Sequence, residues 1–216
     1  MDLLHGSGKI VERPRFGEGN PHNDYGLGFY CTQNIDLARE WACTEWNDGF
    51  VNKYRLEADG LRVLRLNGGE YNILNWLAIL LENRTFDLST PVSVRARRFI
   101  LDNYLPDYKD YDIIVGYRAD DSYFSFARAF LANGITLEQL GRAMKLGKLG
   151  EQVTIRSREA FDRLRFTGYE PVSSALFYPK RMLRDKQARS DYLSMLSENP
   201  EGENKYMSDL IDGKGI

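Results

Sequence analysis

Two aromatic residues near the N-terminus, Tyr30 and Trp41, could form the walls of a site for a planar ring. Tyr30 ends the segment Asp24-Tyr-Gly-Leu-Gly-Phe-Tyr30, in which two glycines precede a predicted strand. Glycine lets a chain turn sharply and a ligand approach closely, so this segment is typical of the edge of a binding cleft. Trp41 follows on a predicted helix. Aromatic residues on neighbouring elements are more often core residues, so these two alone do not identify a site.

Polar side chains on two further predicted strands could complete such a site. Leu4-His5-Gly6-Ser7 is a short strand that carries an imidazole and a hydroxyl. A strand over 151–155 begins with Glu151 and Gln152, and only one of them can face a given cleft because successive strand residues point to opposite faces. Gln152 can donate and accept hydrogen bonds but carries no charge. Glu151 carries a charge and also fits a solvated strand end.

The composition is that of an ordinary globular chain without a strong overall field. The 216 residues carry a formal net charge of −2, so binding to nucleic acid would need a local basic patch. Cys31 and Cys43 lie on adjacent predicted elements, and we expect two free buried thiols rather than a disulfide framework. No apolar stretch approaches the ~18 residues of a membrane span, and no signal-peptide pattern is present, so we expect a cytoplasmic protein.

Strands and helices are interleaved without regular βαβ alternation, which predicts an α+β fold. Asn34 is the expected N-cap of a helix over about 34–46. Ala58-Asp59-Gly60 is typical of a hairpin turn and predicts that strands at 50–57 and 61–66 pair with each other. The other predicted strands cover 3–7, 27–32, 111–116 and 151–155, and the other predicted helices cover two segments within 71–105, about 121–132, one starting at 136, 157–164 and 180–195.

A change in composition after residue 168 divides the chain into two predicted parts. Residues 1–168 form the main domain, and residues 169–216 form a basic helical extension that we expect to be partly flexible. The predicted helix over 180–195 carries five Lys or Arg residues beside two Asp residues. Such a surface could bind nucleic acid or an acidic partner, although a solvated helix is the more common explanation.

Five short sequences resemble the motifs of a known family, both in their residue types and in their order along the chain. Together they resemble the ADP-ribosyltransferase superfamily, in the branch of diphtheria toxin and the poly(ADP-ribose) polymerases, and within it an uncharacterised bacterial toxin-type domain family. The resemblance spans about 1–166 and implies a split β-sheet core with helical insertions and a C-terminal helical tail. The sequences are Leu4-His-Gly-Ser7, Asp24-Tyr-Gly-Leu-Gly-Phe-Tyr30, Tyr111-Asp-Ile-Ile-Val-Gly116, Ala119-Asp-Asp121 and Gln152-Val-Thr-Ile155.

The resemblance implies an NAD site built from the residues that match the family's motifs. His5 would bind the adenosine ribose, while the Gly6 backbone and the Ser7 hydroxyl would hold the nicotinamide carboxamide. Tyr30 would stack against nicotinamide, and Trp41 has the position of a second stacking aromatic. The electron-rich face of each ring suits a planar cation.

Two positions depart from the pattern of the polymerases. Ala38 stands where the polymerases have a serine that contacts the carboxamide. The catalytic position on the late strand falls on Gln152 instead of a carboxylate, with Glu151 beside it. We expect Gln152 to face the site and to act with His5 and Tyr30. An amide at this position resembles monotransferase variants and argues against polymer synthesis.

The resemblance implies mono-ADP-ribosyl transfer, with NAD as co-substrate and no metal. The acceptor would be a protein, DNA or RNA, and the setting would be a bacterial toxin of a toxin–antitoxin or phage-defence system, with an antitoxin protein as a further partner and no membrane association. Asp120 and Asp121 could position the acceptor, although either could instead cap the following helix.

Two other functions stay open. An RNA 2′-phosphotransferase shares the fold and consumes NAD, and Arg13, Arg15 and Arg118 are the candidate ligands for its phosphate. A non-catalytic NAD-binding module is the second, because Gln152 supplies no negative charge.

Overall fold

The chain forms an α+β structure, as predicted, with a seven-stranded mixed sheet. The structure is a computed structural model that describes residues 1–119, 121–146, 150–198 and 205–213, with side chains at all of these except 121 and 122. The strands are β1 (Asp2–Ser7), β2 (Phe29–Thr32), β3 (Gly49–Leu56), β4 (Val63–Arg65), β5 (Ile113–Tyr117), β6 (Glu151–Ile155) and β7 (Leu164–Val172). The helices are α1 (Ile35–Ala42), α2 (Ile73–Asn83), α3 (Pro91–Tyr104), α4 (Asp121–Leu131), α5 (Leu137–Ala143), α6 (Arg158–Asp162), α7 (Ser174–Ser197) and α8 (Met207–Ile211).

The middle of the sheet is its weakest junction. The strand order is β4-β5-β6-β2-β1-β3-β7, and only β4 and β5 are parallel to each other. β1 pairs with β3 along its whole length, whereas it pairs with β2 at a single position, Leu4 opposite Thr32. The two strands therefore separate immediately beyond that pair, and the separation opens the sheet.

Helix α1 packs closely against β1 beside this opening. Asn34 caps the helix as predicted, because its side-chain oxygen accepts from the backbone N–H groups of Asp36 and Leu37. Gly6 permits the contact, since a Cβ at that position would lie 2.1 Å from the carbonyl oxygen of Ala38. The helix ends at Ala42, earlier than the sequence predicts.

Hydrophobic clusters cover both faces of the sheet. The larger cluster includes Tyr25, Trp76 and Phe126 and lies against the helices α2 to α5. A second cluster on the strands includes Leu3 and Val153. The two cysteines are free and buried, as expected.

The prediction that the third and fourth strands pair as a hairpin is wrong. The turn itself forms, with Leu61 donating its backbone N–H to the carbonyl oxygen of Ala58 at 3.1 Å. The strands then diverge, because β3 pairs with β1 and β7 while β4 pairs with β5 at the opposite edge of the sheet. Long-range pairing overrides the local turn signal.

The sheet continues past the predicted boundary at residue 168. β7 was not predicted as a strand, yet it pairs with β3 from Leu164 to Val172. The extension that follows also contributes to the core, since Met195 of α7 and Met207 and Leu210 of α8 lie in the larger cluster. In the part of the chain described, no helix combines the length and the apolar character needed to cross a membrane.

Candidate functional site

A cleft of about 490 Å³ lies beside the separation of β1 and β2. Five residues that the sequence predicts as site residues line this cleft: His5, Gly6, Tyr30, Trp41 and Gln152. They come from β1, β2, α1 and β6, so the fold brings together positions that are far apart in sequence.

His5 connects the two separated strands. Its Nδ1 lies 2.7 Å from the backbone carbonyl oxygen of Tyr30, and its ring packs against the ring of Phe29 at a centroid distance of 4.4 Å. A carbonyl oxygen can only accept, so Nδ1 carries the hydrogen and Nε2 of the neutral ring is an acceptor. Burial lowers the pKa of His5, against a smaller opposing effect of this hydrogen bond, and favours the neutral ring.

Tyr30 fixes the glycine-containing segment before β2. Its hydroxyl donates to the carbonyl oxygen of Gly26 at 2.6 Å and accepts the backbone N–H of Tyr25 at 3.0 Å. Gly26 has φ of +75°, a conformation that favours glycine. Burial raises the pKa of Tyr30 well above its ordinary value, so the hydroxyl stays protonated. The ring borders the cleft while its hydroxyl is used structurally.

Gln152 faces the cleft and contacts a buried carboxylate. Its Nε2 donates to Oδ2 of Asp24 at 2.9 Å and to the carbonyl oxygen of Tyr117 at 3.2 Å. Gln152 is only 4% exposed. Both partners are acceptors, so they orient the amide with its nitrogen toward them.

Asp24 is a cleft carboxylate that the sequence analysis does not include among the site residues. It lines the cleft, is 5% exposed, and accepts the backbone N–H of Ala119 at 2.9 Å. Nη1 of Arg84 lies 3.2 Å from its Oδ1. Burial raises the pKa of Asp24, while the hydrogen bonds from Ala119 and Gln152 and the charges of Arg84 and Arg118 oppose the rise.

Trp41 forms another wall and has a cation over its ring. The guanidinium carbon of Arg118 lies 4.3 Å from the ring centroid. The indole Nε1 is buried and finds no hydrogen-bond partner among the described residues. Trp41 therefore presents an unsatisfied donor beside a cleft that it lines.

Ser7 does not line the cleft, unlike His5 and Gly6 of the same motif. Its hydroxyl donates to the carbonyl oxygen of Lys9 at 2.6 Å and accepts from Nδ2 of Asn52 at 3.1 Å. The fully buried Asn52 also accepts the backbone N–H of Val11 at 2.8 Å. In this structure Ser7 and Asn52 hold the segment that leaves β1.

The acidic residues predicted at the site either lie away from the cleft or fall outside the residues that the structure describes. Glu151 is exposed, and its carboxylate accepts from Nδ2 of Asn67 at 2.9 Å, outside the cleft lining. Asp121 begins α4, but its side chain lies outside the described residues, as does Asp120 altogether.

Cationic side chains also line the cleft. They are Lys9, Arg15, Arg84 and Arg118, against the carboxylates of Glu18 and Asp24. Arg13 is not part of the lining. Among the described residues, no group of three His, Cys, Asp or Glu side chains is placed to hold a metal ion. The four cations outnumber the two carboxylates of the lining, which favours an anionic ligand.

A family profile described as "Protein of unknown function (DUF3990)" matches residues 1–166. The chain belongs to this family. The DUF3990 match runs from β1 through α6 and includes every residue that lines the cleft, whereas α7 and α8 lie outside it. No curated protein and no solved structure matches the chain.

The sequence analysis does not single out Asp24 and Arg84, which line the cleft, or Asn52, which holds the segment after β1. Asp24 opens the glycine-containing motif, so its position within that motif was an available signal. The sequence offers no such signal for Arg84 or Asn52. Arg84 contacts Asp24 and Asn52 contacts the end of β1, and each contact joins segments that are distant in sequence.

Proposed function

We propose that this protein is an NAD-dependent mono-ADP-ribosyltransferase with the fold of the diphtheria-toxin and polymerase branch. The observation that carries the proposal is the convergence of His5, Tyr30 and Gln152, from three separate strands, on one cleft. These are the residues to which the sequence resemblance assigns catalytic positions. Their convergence supports the proposal, because residues matched by chance have no reason to share a cleft.

The lining of the cleft fits the chemical groups of NAD. Tyr30 offers an electron-rich ring face that suits a planar cationic nicotinamide, and the ring of Trp41 already has the cation of Arg118 over one face. Lys9, Arg15 and Arg118 line the same cleft and suit the oxygens of a pyrophosphate. The volume of about 490 Å³ is in the range typical of ligand pockets.

Two of the residues that line this cleft suit tasks of the transfer, whereas Ser7, which the resemblance assigns to the carboxamide, lies outside the lining. Nε2 of His5 would accept from a ribose hydroxyl, and Gln152 would contact the hydroxyls of the nicotinamide ribose. The bond from ribose C1′ to the nicotinamide nitrogen breaks, and its electron pair leaves with nicotinamide. A nucleophilic atom of the acceptor bonds to C1′ and releases its proton to solvent. The sugar becomes positively charged as the first bond breaks, so polar groups aimed at the sugar accelerate the reaction.

The product is a single ADP-ribose unit on a macromolecule, either a protein or a nucleic acid. The cleft presents an amide at Gln152 rather than a carboxylate, which supports single transfer over polymer synthesis. The biological setting proposed is a bacterial toxin acting in the cytoplasm, in a toxin–antitoxin or phage-defence system, with an antitoxin protein as its partner.

The proposal is tested by incubating the protein with labelled NAD, with and without cell extract. We expect nicotinamide release and label on a macromolecule, whose identity mass spectrometry of the extract would give. The variant Gln152→Ala, in which we expect nicotinamide release to be about 100-fold slower, serves as the comparison for background hydrolysis. Absence of both nicotinamide release and labelling, together with absence of NAD binding, would refute the proposal.

A non-catalytic NAD-binding module is the second candidate, and the amide of Gln152 in the cleft favours it. An uncharged side chain stabilises the developing positive charge less than a carboxylate does. Tight NAD binding without nicotinamide release would support this candidate over the transferase.

An RNA 2′-phosphotransferase is the third candidate, supported by Arg15 and Arg118 in the cleft lining. Arg13, also a candidate phosphate ligand on sequence grounds, is outside the lining. Incubation with NAD and 2′-phosphorylated RNA separates this activity from ADP-ribosylation of a macromolecule, because only the phosphotransferase removes the 2′-phosphate from the RNA.

A further inference from the structure

The amide nitrogen of Gln152 is fully used within the protein. It donates to Oδ2 of Asp24 and to the carbonyl oxygen of Tyr117, at 2.9 and 3.2 Å. An amide nitrogen has two hydrogens, and both face an acceptor. A flipped amide would bring its oxygen against two other oxygens, which is unfavourable. The carbonyl oxygen Oε1 is therefore the part of Gln152 that is left for a ligand in the cleft.

Asp24 is held as firmly as the amide that it orients. Its Oδ2 accepts from both Gln152 and the backbone N–H of Ala119, and its Oδ1 lies 3.2 Å from Nη1 of Arg84. Such partners are the usual requirement for burial of a carboxylate. Asp24 nevertheless reaches the cleft surface, so its charge acts on whatever the cleft contains.

We propose that Asp24 is a positioning residue that turns Oε1 of Gln152 toward the bound sugar and supplies the negative charge that Gln152 lacks. This inference rests on the proposed function. Asp24 and Gln152 together would take the role of a single catalytic carboxylate, with Gln152 as the acceptor for ribose hydroxyls and Asp24 as the nearby charge. The charge of a buried side chain such as Asp24 stabilises a nearby developing cation more than it would in water.

The two contributions of Asp24 are separated by two substitutions. Asp24→Ala removes both the acceptor and the charge. Asp24→Asn removes the charge but keeps a side-chain oxygen that can accept from Gln152 and Ala119, since a single oxygen of Asp24 accepts both hydrogen bonds. A matched control is Glu40→Gln, because Glu40 is a buried carboxylate with Nε and Nη2 of Arg184 at 2.9 and 2.5 Å, outside the cleft lining.

Nicotinamide release provides the catalytic readout. We expect kcat to fall about 100-fold in Asp24→Ala and at least about 10-fold in Asp24→Asn, with the KM for NAD changed less than kcat. Glu40→Gln is expected to keep the wild-type kcat. Wild-type kcat in Asp24→Ala would overturn the inference.

A second readout does not depend on activity. The side-chain NH₂ signals of Gln152 are identified in an amide NMR spectrum by their loss in Gln152→Glu. We expect slow hydrogen exchange for this NH₂ in the wild type and in Asp24→Asn, and fast exchange in Asp24→Ala. Equal exchange in the wild type and Asp24→Ala would overturn the inference even if NAD is consumed. A wild type inert toward NAD would refute the proposed function, while the exchange pattern would still test whether Asp24 orients Gln152.

Discussion

The imidazole of His5 donates from Nδ1 to the backbone carbonyl oxygen of Tyr30, with 2.7 Å between the two atoms. This side-chain bond spans the place where β1 and β2 have no further register pair beyond Leu4 and Thr32. The bond fixes the tautomer, since only the Nδ1–H form can donate to a carbonyl. Nε2 is consequently an acceptor at the edge of the cleft for as long as the ring is neutral.

We predict that His5→Ala raises the KM for NAD about 5- to 10-fold, because a lost hydrogen bond of this kind costs about 1 kcal/mol. Burial lowers the pKa of His5, so the neutral form persists below its ordinary value of 6.5. As the pH falls through that lowered pKa, Nε2 becomes protonated and wild-type affinity for NAD should decrease. Isothermal titration of NAD across pH 5–8 measures this.

His22→Ala is the control for that experiment, since His22 is the other histidine and does not line the cleft. It should keep both the affinity for NAD and the pH dependence attributed to His5. An unchanged affinity in His5→Ala would contradict the assigned role of Nε2.

The contact between β1 and α1 predicts that Gly6→Ala is severely destabilising. A Cβ at Gly6 would lie 2.1 Å from the carbonyl oxygen of Ala38 and 2.7 Å from the backbone nitrogen of Ala42. Neither backbone atom can move without shifting the helix, so we expect a loss of more than about 3 kcal/mol in the free energy of unfolding. Urea unfolding followed by circular dichroism measures it. Gly8→Ala is the matched control, because a Cβ there would meet no atom within 4 Å.

Local signals in the sequence were sufficient to predict the helix and strands that build the cleft. The cap at Asn34, the apolar run of β5 and the start of β6 depend on neighbouring residues, and the structure has each of them. β7 escaped prediction because it contains Gly168 and Pro171, which resemble loop residues. Proline is tolerated at a sheet edge, where β7 lies.

The partners of the strands could not be read from the sequence. A turn at 58–60 forms, but the choice of β5 for β4 depends on the whole sheet. The same limit applies to the site. Tyr30 and Gln152 were identifiable through motif order, whereas the buried pairing of Asp24 with Arg84 and Gln152 arises only when three distant segments meet.

The orientation of β6 predicts opposite consequences for two adjacent residues. Gln152 lines the cleft, and Glu151 points away to Asn67. Gln152→Ala should lower kcat for nicotinamide release about 100-fold, as expected for loss of a group that contacts the reacting sugar. Glu151→Gln should change it less than about twofold, since an exposed pair of this kind contributes little. A larger loss in Glu151→Gln would contradict the strand register.

The raised pKa of Asp24 predicts a pH-dependent stability. Burial makes the folded protein hold this proton to a higher pH than the unfolded chain, where the value is 3.8. The stability that Asp24 contributes is therefore complete below about pH 3.8 and is lost as the pH rises through the raised pKa. The free energy of unfolding of the wild type minus that of Asp24→Asn should decrease from pH 4 to pH 7 in urea titrations.

Glu170 provides a control of opposite sign for that prediction. Hydrogen bonding to Arg39 lowers the pKa of Glu170 from 4.5, against desolvation, with Lys53 adding to the effect. Its contribution is present above the unfolded value and is lost as the pH falls through the lowered pKa. The difference between wild type and Glu170→Gln should therefore increase with pH over the acidic range. Parallel trends in the two variants would contradict the assigned causes.

The C-terminal extension is predicted to be part of the folded core rather than a dispensable tail. Met207 of α8 is fully buried in the larger hydrophobic cluster, whereas Leu193 of α7 is 66% exposed. Met207→Ala should lower the free energy of unfolding by about 2–4 kcal/mol, because truncation of a buried side chain leaves a cavity. Leu193→Ala should change it by less than about 0.5 kcal/mol. Chemical unfolding of both variants measures this contrast, which we expect if the extension packs into the core. If the extension were only loosely attached, Met207→Ala would be as mild as Leu193→Ala.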